Sequence, residues 1–149
     1  MDILTLPADF REFLKLLNSQ RVEYLLVGGY AVGFYGYPRA TADMDIWVAL
    51  DGNNAKRLVA VLQQFGFDVP ELQPDLFMQE NKIIRLGVPP FRIEILTTLS
   101  GVSFKECYAR RQRHVVDDLE VDFLSLADLK SNKRAAGRHK DLDDLEHLP

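Results

Sequence analysis

An apolar segment that ends in two glycines, followed closely by two alternating aspartates, constrains this chain more than any other feature. The segment is Leu26-Val27-Gly28-Gly29, and the two aspartates are Asp43 and Asp45. Residues 43–50 have the composition of a strand, and side chains alternate between the two faces of a strand. The spacing therefore predicts that both carboxylates project on one face, roughly 6–7 Å apart.

This arrangement has both a functional and a purely structural interpretation. Two metal ions in a phosphoryl-transfer site lie about 3.5–4 Å apart, so a carboxylate pair on one strand face can bracket them. Gly28 and Gly29 have no Cβ, and a helix start there lets phosphate oxygens approach the backbone. The alternatives are a solvated polar face on an edge strand and a tight strand-to-helix turn without a ligand.

Bulk composition limits the class of protein. The chain has 149 residues, 47% of them hydrophobic and 27% charged, which predicts one soluble domain over 1–149. A net charge of −4 argues against nucleic-acid binding through bulk electrostatics. Cys107 is the single cysteine, so we expect no internal disulfide and a reducing, cytoplasmic setting. The N-terminus lacks a secretory pattern and no stretch is long enough to span a bilayer, so we expect no membrane association.

Hydrophobic periodicity predicts alternating helices and strands. Helices are expected over 8–19, 29–36, 53–65, 103–111 and 125–137, with a last one after 137 and a short turn or helix over 75–80. Strands are expected over 22–27, 43–50, 83–86 and 91–97, with a hairpin over 114–123 that turns at Asp117-Asp118. This order predicts an α/β or α+β fold with a mixed sheet flanked by helices, and C-terminal helices (about 125–149) packing on it.

A third acid lies in the strand predicted over 91–97. Glu94 stands between Ile93 and Ile95, and a carboxylate among buried neighbours is costly unless it is paired or binds a cation. Two-metal sites commonly use such a third carboxylate, which can also help deprotonate an attacking hydroxyl. The alternative is that Glu94 pairs with Arg92 or Arg85.

Positive charges cluster near the C-terminus and before the aspartate pair. The C-terminal segment carries Lys130, Lys133, Arg134, Arg138 and Lys140 with no acid between them, followed by several acids. The structural interpretation is two solvated helices with local ion pairs such as Arg138 with Asp141 and Lys140 with Asp144. Arg39 and Thr41 lie just before the aspartates, where a cation and a hydroxyl can contact phosphate or acceptor, although surface solvation explains Arg39 equally well.

Three motifs in order resemble the nucleotidyltransferases of the DNA polymerase beta superfamily. The first two are Val27-Gly28-Gly29 and, after thirteen intervening residues, Asp43-Met44-Asp45-Ile46. The chain is more narrowly similar to small bacterial and archaeal members related to abortive-infection toxins, which share Gly28-Gly29-Tyr30-Ala31 and the Arg39 to Asp43 approach. They also share a late basic motif, which here spans Lys133 to Asp141. The resemblance covers about residues 22–148.

The resemblance implies a nucleoside triphosphate substrate, two Mg²⁺ ions and transfer of a nucleoside monophosphate to an acceptor hydroxyl with release of pyrophosphate. It implies that the metal ligands and catalytic acids are Asp43, Asp45 and Glu94. The nucleotide-binding candidates are then Gly28, Gly29, Arg39, Thr41, Lys133, Arg138 and Lys140. The acceptor is expected to be a protein, an RNA or a small molecule, and an antitoxin or a second copy of the chain is a possible partner.

Two departures from the superfamily pattern stand out. Position 29 is Gly where many relatives have Ser, and the third acid is Glu rather than Asp.

The interpretation that competes with an active nucleotidyltransferase is a catalytically inactive protein of the same fold that binds nucleotide or a partner.

Overall fold

The computed structural model describes residues 6–38, 41, 43–88 and 90–149. Helices in these ranges are α1 (Ala8–Ser19), α2 (Gly28–Phe34), α3 (Gly52–Phe65), α4 (Phe104–Ala109), α5 (Leu126–Ala136) and α6 (His139–His147), with a short 3₁₀ helix over Pro74–Met78. Strands are β1 (Tyr24–Val27), β2 (Asp43–Val48), β3 (Ile83–Leu86), β4 (Arg92–Leu96), β5 (Gln112–Val116) and β6 (Leu119–Phe123). Among the described residues, no helix combines the length and apolar character needed to cross a membrane.

The strands form one mixed sheet in the order β3-β4-β2-β1-β6-β5. β2 runs parallel to β4 and antiparallel to β1, while β1 runs parallel to β6. The edge strands β3 and β5 pair antiparallel with β4 and β6. The predicted fold class, a mixed sheet flanked by helices, is confirmed. This order also places β2 and β4, the two strands with the predicted acids, side by side near the middle of the sheet.

The amphipathic helices form where periodicity and caps predict them. α1 buries Phe10, Phe13, Leu14 and Leu17 completely, as their helical spacing indicates. Asp51 caps α3 by accepting a hydrogen bond from the Asn54 backbone N–H, and Gly66 ends the helix in the left-handed conformation. These two residues set the ends of the helix that follows β2.

Element boundaries differ from the predictions by one or two residues. β1 begins at Tyr24 rather than at Val22, and β4 begins at Arg92, leaving Phe91 outside the strand and half-exposed. The hairpin turns at Asp117 and Asp118 as predicted, both with positive φ, which matches the right-handed twist of β5 and β6.

Candidate active site

Sheet register gathers the predicted acids on one face. In the parallel pair β2–β4, Asp43 lies opposite Arg92 and Asp45 lies opposite Glu94. In the antiparallel pair β3–β4, Arg85 lies opposite Glu94. Directly opposed residues share a face of the sheet. Three acids and two arginines therefore lie together across three neighbouring strands.

Asp45 is the acid with the least compensated charge. Its Oδ1 atom is buried and has no hydrogen-bond partner among the described residues. Burial raises the pKa of Asp45 to about 7, and the neighbouring carboxylates of Glu94 and Asp43 contribute to the increase. The carboxyl groups of Asp45 and Glu94 are in hydrogen-bond contact. Two acids so close together favour a shared proton or a bound cation.

Gly28 is required by this acid pair. Its φ is +67°, a conformation that L residues rarely adopt, and a Cβ at this position would overlap Asp45 Oδ2. A Cβ on Gly29 would lie 2.8 Å from Thr41 Oγ1, so the Thr41 hydroxyl stands beside the second glycine. The glycine pair thus lets the start of α2 approach β2 closely.

A cleft of about 430 Å³ opens over Asp45 and Glu94. One wall is the turn at Gly28 and Gly29, and the opposite wall is basic, formed by α5 and the start of α6. The predicted residues that line the cleft are Gly28, Gly29, Asp45, Glu94, Lys133, Arg138 and Lys140. The rest of the lining combines apolar side chains with hydroxyl and amide groups, namely Val27, Ile83, Arg85, Leu96, Thr98, Leu99, Ser100, Asn132 and Ala136.

The basic wall contains one buried ion-pair cluster. Lys133 Nζ lies 3.2 Å from Asp141 Oδ1 and 3.0 Å from Asp144 Oδ2, with little of its side chain exposed. Arg138 Nε donates to Asp141 Oδ2 at 2.7 Å. Burial opposes ionisation of Asp141, but the hydrogen bonds and charges of Arg138 and Lys133 outweigh it and hold the pKa of Asp141 below its usual value. Lys133 therefore anchors α6 to α5 while lining the cleft.

Lys140 differs from these two cations. Its side chain is exposed, and it makes no ion pair within the described residues. It is also close enough to Asp45 to favour the ionised form of that carboxyl group. Lys140 is thus available to an anionic ligand in the cleft.

Arginines already engage the other two acids. Arg92 binds Asp43 through two hydrogen bonds, Nε to Oδ1 at 3.2 Å and Nη2 to Oδ2 at 2.8 Å. Arg85 Nε donates to Glu94 Oε1 at 3.0 Å, and Arg92 Nη2 lies 3.6 Å from the same oxygen. The sequence suggested both arginines as partners of Glu94, but it did not indicate that Arg92 binds Asp43.

The donor chemistry at Asp45 and Glu94 fits a magnesium ion. Mg²⁺ prefers carboxylate oxygens and binds through one or two of them while keeping several waters. The orphaned Asp45 Oδ1 and the adjacent like charge of Glu94 both favour a cation there. Asp43 fits less well, because both of its oxygens accept hydrogen bonds from Arg92. Across 6–38, 41, 43–88 and 90–149, no group of three or more His, Cys, Asp or Glu side chains is arranged to hold a metal ion.

The remaining predicted residues lie outside the cleft lining or outside the described ranges. Asp43 and Thr41 do not line the cleft, although Thr41 Oγ1 donates to the Asp43 carbonyl at 3.2 Å. Arg39 lies outside the described residues. Sequence reasoning missed the acids that hold Lys133 and the part of the lining formed by residues 96 and 98–100, since neither has a spacing that signals it.

Comparison with solved structures identifies the fold. The chain is similar to a provisionally assigned nucleotidyltransferase from Thermotoga maritima, with a TM-score of 0.63 at 14% identity over 92% of this chain and 88% of the other. The chain has a nucleotidyltransferase fold. It is also similar to an antigenic nucleotidyltransferase-like protein from Paracoccidioides brasiliensis, with a TM-score of 0.55 at 17% identity over 95% of this chain and 76% of the other. No protein-family model matches the sequence, and no curated protein matches it. The nucleotidyltransferase fold implied by the sequence motifs is thus confirmed at the level of architecture.

Proposed function

We propose that this protein is a metal-dependent nucleotidyltransferase that transfers a nucleoside monophosphate from a nucleoside triphosphate to an acceptor hydroxyl. The observation that carries the proposal is the cleft itself. Within the described part of the chain, a buried carboxyl oxygen without a partner and an adjacent second acid line the cleft with a lysine that makes no ion pair there, beside two glycines that leave the backbone open. A nucleoside triphosphate with bound metal ions matches this cleft, because the metal ions carry the positive charge that the acids attract and the phosphates carry the negative charge that the lysine attracts.

In this proposal Asp45 and Glu94 hold Mg²⁺, with Asp43 as a further ligand. Bound Mg²⁺ would neutralise charge on the phosphates and on the developing pyrophosphate. Lys140 and Arg138 bind phosphate oxygens from the opposite wall, and the backbone at Gly28 and Gly29 approaches them without a Cβ. Glu94 accepts the proton of the acceptor hydroxyl, whose oxygen forms a bond to the α-phosphorus while the bond to pyrophosphate breaks.

Calorimetry with Mg²⁺ and each of the four ribonucleoside triphosphates tests the binding step. We expect binding of at least one triphosphate that requires Mg²⁺ and is abolished in Asp45→Ala. Glu120→Gln, at an exposed acid near the other edge of the sheet, is the matched control and is expected to bind like the wild type. Failure of all four triphosphates to bind would refute the proposal.

Incubation with labelled triphosphate, Mg²⁺ and whole-cell extract tests the transfer step. Label on protein, RNA or a small molecule identifies the acceptor class, and Glu94→Gln is expected to abolish it. Three statements stay predictions from the sequence: that the protein belongs to a toxin–antitoxin pair, that it forms a homodimer, and that it is cytoplasmic. Pull-down from the native host and analytical ultracentrifugation test the first two.

One observation favours the second candidate function, an inactive protein of this fold that binds nucleotide as a module. The two hydrogen bonds from Arg92 neutralise Asp43, one of the three acids that transfer would use. Triphosphate binding without label transfer to any acceptor would support this candidate. Transfer that depends on Glu94 would exclude it.

A further inference from the structure

Two hydroxyl side chains line the cleft among the residues that the structure describes, namely Thr98 and Ser100. Both follow β4, the strand that carries Glu94, and both are exposed. The proposed function uses a hydroxyl group as the acceptor of a nucleoside monophosphate. The chain therefore offers hydroxyl groups of its own on the wall of the cleft in which the triphosphate would bind.

The two hydroxyls differ in the hydrogen bonds that they make. Thr98 Oγ1 accepts a hydrogen bond from the Asn81 backbone N–H at 2.9 Å, which ties this oxygen to the turn before β3. The hydroxyl of Ser100 makes no hydrogen bond within residues 6–38, 41, 43–88 and 90–149. A free hydroxyl rotates to suit a new partner, whereas a bonded one must first give up its bond. Ser100 is thus the more available nucleophile of the two.

The backbone at Ser100 is held against α5. Asn132 Nδ2 donates to the Ser100 carbonyl at 3.1 Å, and Asn132 is itself buried. The next residue, Gly101, has a φ of +77° and packs so closely on α5 that a Cβ there would overlap the Cβ of Ala135. These contacts fix the main chain of Ser100 and leave its hydroxyl free to turn, so the hydroxyl stays at the cleft wall.

The cleft is small for a nucleotide. Its volume of about 430 Å³ lies in the lower part of the range for small-molecule sites, so a nucleoside triphosphate that fills it contacts every wall. Asp45, Glu94 and Ser100 then touch the same ligand. A hydroxyl and a phosphoanhydride held together in one cleft react as if each were at a high concentration.

We propose that Ser100 is an acceptor within the same chain, so that the protein attaches one nucleoside monophosphate to itself. This inference rests on the proposed function, since it uses the same acids and the same triphosphate. Ser100 Oγ forms a bond to the α-phosphorus while the bond from that phosphorus to pyrophosphate breaks, and Glu94 takes the hydroxyl proton. The product is a phosphodiester whose nucleoside stays in the cleft, so one transfer closes the cleft to further substrate.

Intact-mass spectrometry of the purified full chain, incubated with Mg²⁺ and each of the four ribonucleoside triphosphates in turn, tests the proposal. With at least one triphosphate the mass should rise by a single nucleoside monophosphate, and fragmentation should place it on Ser100. Ser100→Ala should lose this increase completely and keep the thermal unfolding midpoint of the wild type, because the side chain is exposed.

Ser131→Ala is the matched control. Ser131 is an exposed serine on α5 that does not line the cleft, and its hydroxyl donates to the Ala127 carbonyl. This variant should gain mass like the wild type. Because the transfer occurs within one chain, its rate constant should not change when the protein is diluted. A rate constant that rises in proportion to protein concentration would overturn the intramolecular step.

Two further results would overturn the inference. They are labelling of Ser100→Ala at the wild-type level and an unchanged wild-type mass with all four triphosphates. If label still reaches an acceptor in the whole-cell extract, the proposed function stands without self-modification. If none of the four triphosphates binds in calorimetry, the proposed function and this inference fail together.

Discussion

Two aspartates in the same cleft region behave in opposite ways. Asp45, on β2, has a carboxylate neighbour and a buried oxygen that finds no hydrogen-bond partner within 6–38, 41, 43–88 and 90–149, and its pKa is raised to about 7 by burial and by Glu94. Asp141, on α6, is fully buried, yet Arg138 and Lys133 hold its pKa below the usual value despite that burial. The residue with no exposed surface is thus the one that ionises more easily, because its partners carry opposite charge.

This difference separates a structural charge from one that is available for binding. Around Asp141 the opposite charges are satisfied within the protein, so the cluster fixes α6 against α5 and leaves little attraction for a ligand. Around Asp45 the charges are alike and incompletely bonded, which costs stability in the free protein. A cation or a proton can remove that cost, so Asp45 with Glu94 is the reactive side of the cleft.

Lys133→Met should have the largest effect on stability, because it leaves Asp141 and Asp144 buried with less compensating charge. We expect the free energy of unfolding to fall by about 3–5 kcal/mol, measured by urea denaturation at pH 7. Lys140→Met, at an exposed lysine nearby, should change it by less than about 0.5 kcal/mol. Equal effects at the two lysines would contradict the structural role assigned to Lys133.

Gly28→Ala should have the next largest effect, since it combines a strained φ with overlap of Asp45 Oδ2. The control is Gly66→Ala, where φ is +114° but no atom of the described residues lies within 4 Å of the added Cβ. The control carries only the conformational penalty, about 1–2 kcal/mol. Gly28→Ala should cost at least about 1 kcal/mol more in thermal or urea denaturation, with weaker Mn²⁺ binding. Matching losses in both variants would show that Asp45 can move away freely.

Asp45→Asn should stabilise the metal-free protein, and by more at high pH. The folded pKa of Asp45, about 7, exceeds the unfolded value of about 3.9, so the folded state binds the proton more tightly. The resulting stability is fully present below about pH 4 and is lost as pH rises through 7. Asn does not titrate, so the difference between variant and wild type should grow by about 2–3 kcal/mol from pH 5 to pH 8, measured by urea denaturation in EDTA. A difference between Asp45→Asn and wild type that stays constant from pH 5 to pH 8 would refute the raised pKa of Asp45.

Lys140→Met should leave stability unchanged and weaken triphosphate binding by about tenfold, since a charged hydrogen bond to phosphate is lost. Calorimetry with Mg²⁺ and a non-hydrolysable triphosphate measures this change. Lys56→Met, at an exposed lysine on α3, should bind like the wild type. Unaltered affinity in Lys140→Met would place the phosphates elsewhere in the cleft.

Local patterns predicted the elements that these tests use. The spacing of Phe10, Phe13 and Leu14 identified α1, Asp51 and Gly66 marked the ends of α3, and Asp117-Asp118 marked the hairpin. Alternation along residues 92–96 placed Arg92 and Glu94 on the face opposite Ile93 and Ile95, which are buried as predicted. These signals are local because capping, turn geometry and periodicity depend on residues within a few positions of each other.

The partners of the charged groups were not predictable in the same way. Lys133 was expected to reach a ligand, and its pairing with Asp141 and Asp144 arises from the packing of α6 against α5. The sequence offered Arg92 or Arg85 as an alternative partner of Glu94, and both lie within ion-pair distance of it, but the two hydrogen bonds of Arg92 go to Asp43 on the neighbouring strand. Such choices depend on strand order and register, which lie outside any short sequence window.

The sequence by itself determined the alternation of helices and strands, the glycine pair and the presence of three acids and a basic segment. It did so because backbone preferences and the burial of apolar side chains act over short distances along the chain. Only the tertiary structure decided which charges are compensated. It paired β2 with β4 in a register that sets Asp45 beside Glu94 and Asp43 beside Arg92, and it closed Lys133 into a salt-bridge cluster. The physical reason is that electrostatic energy depends on distance and burial in space, so one residue type becomes an anchor at one position and an open binding group at another.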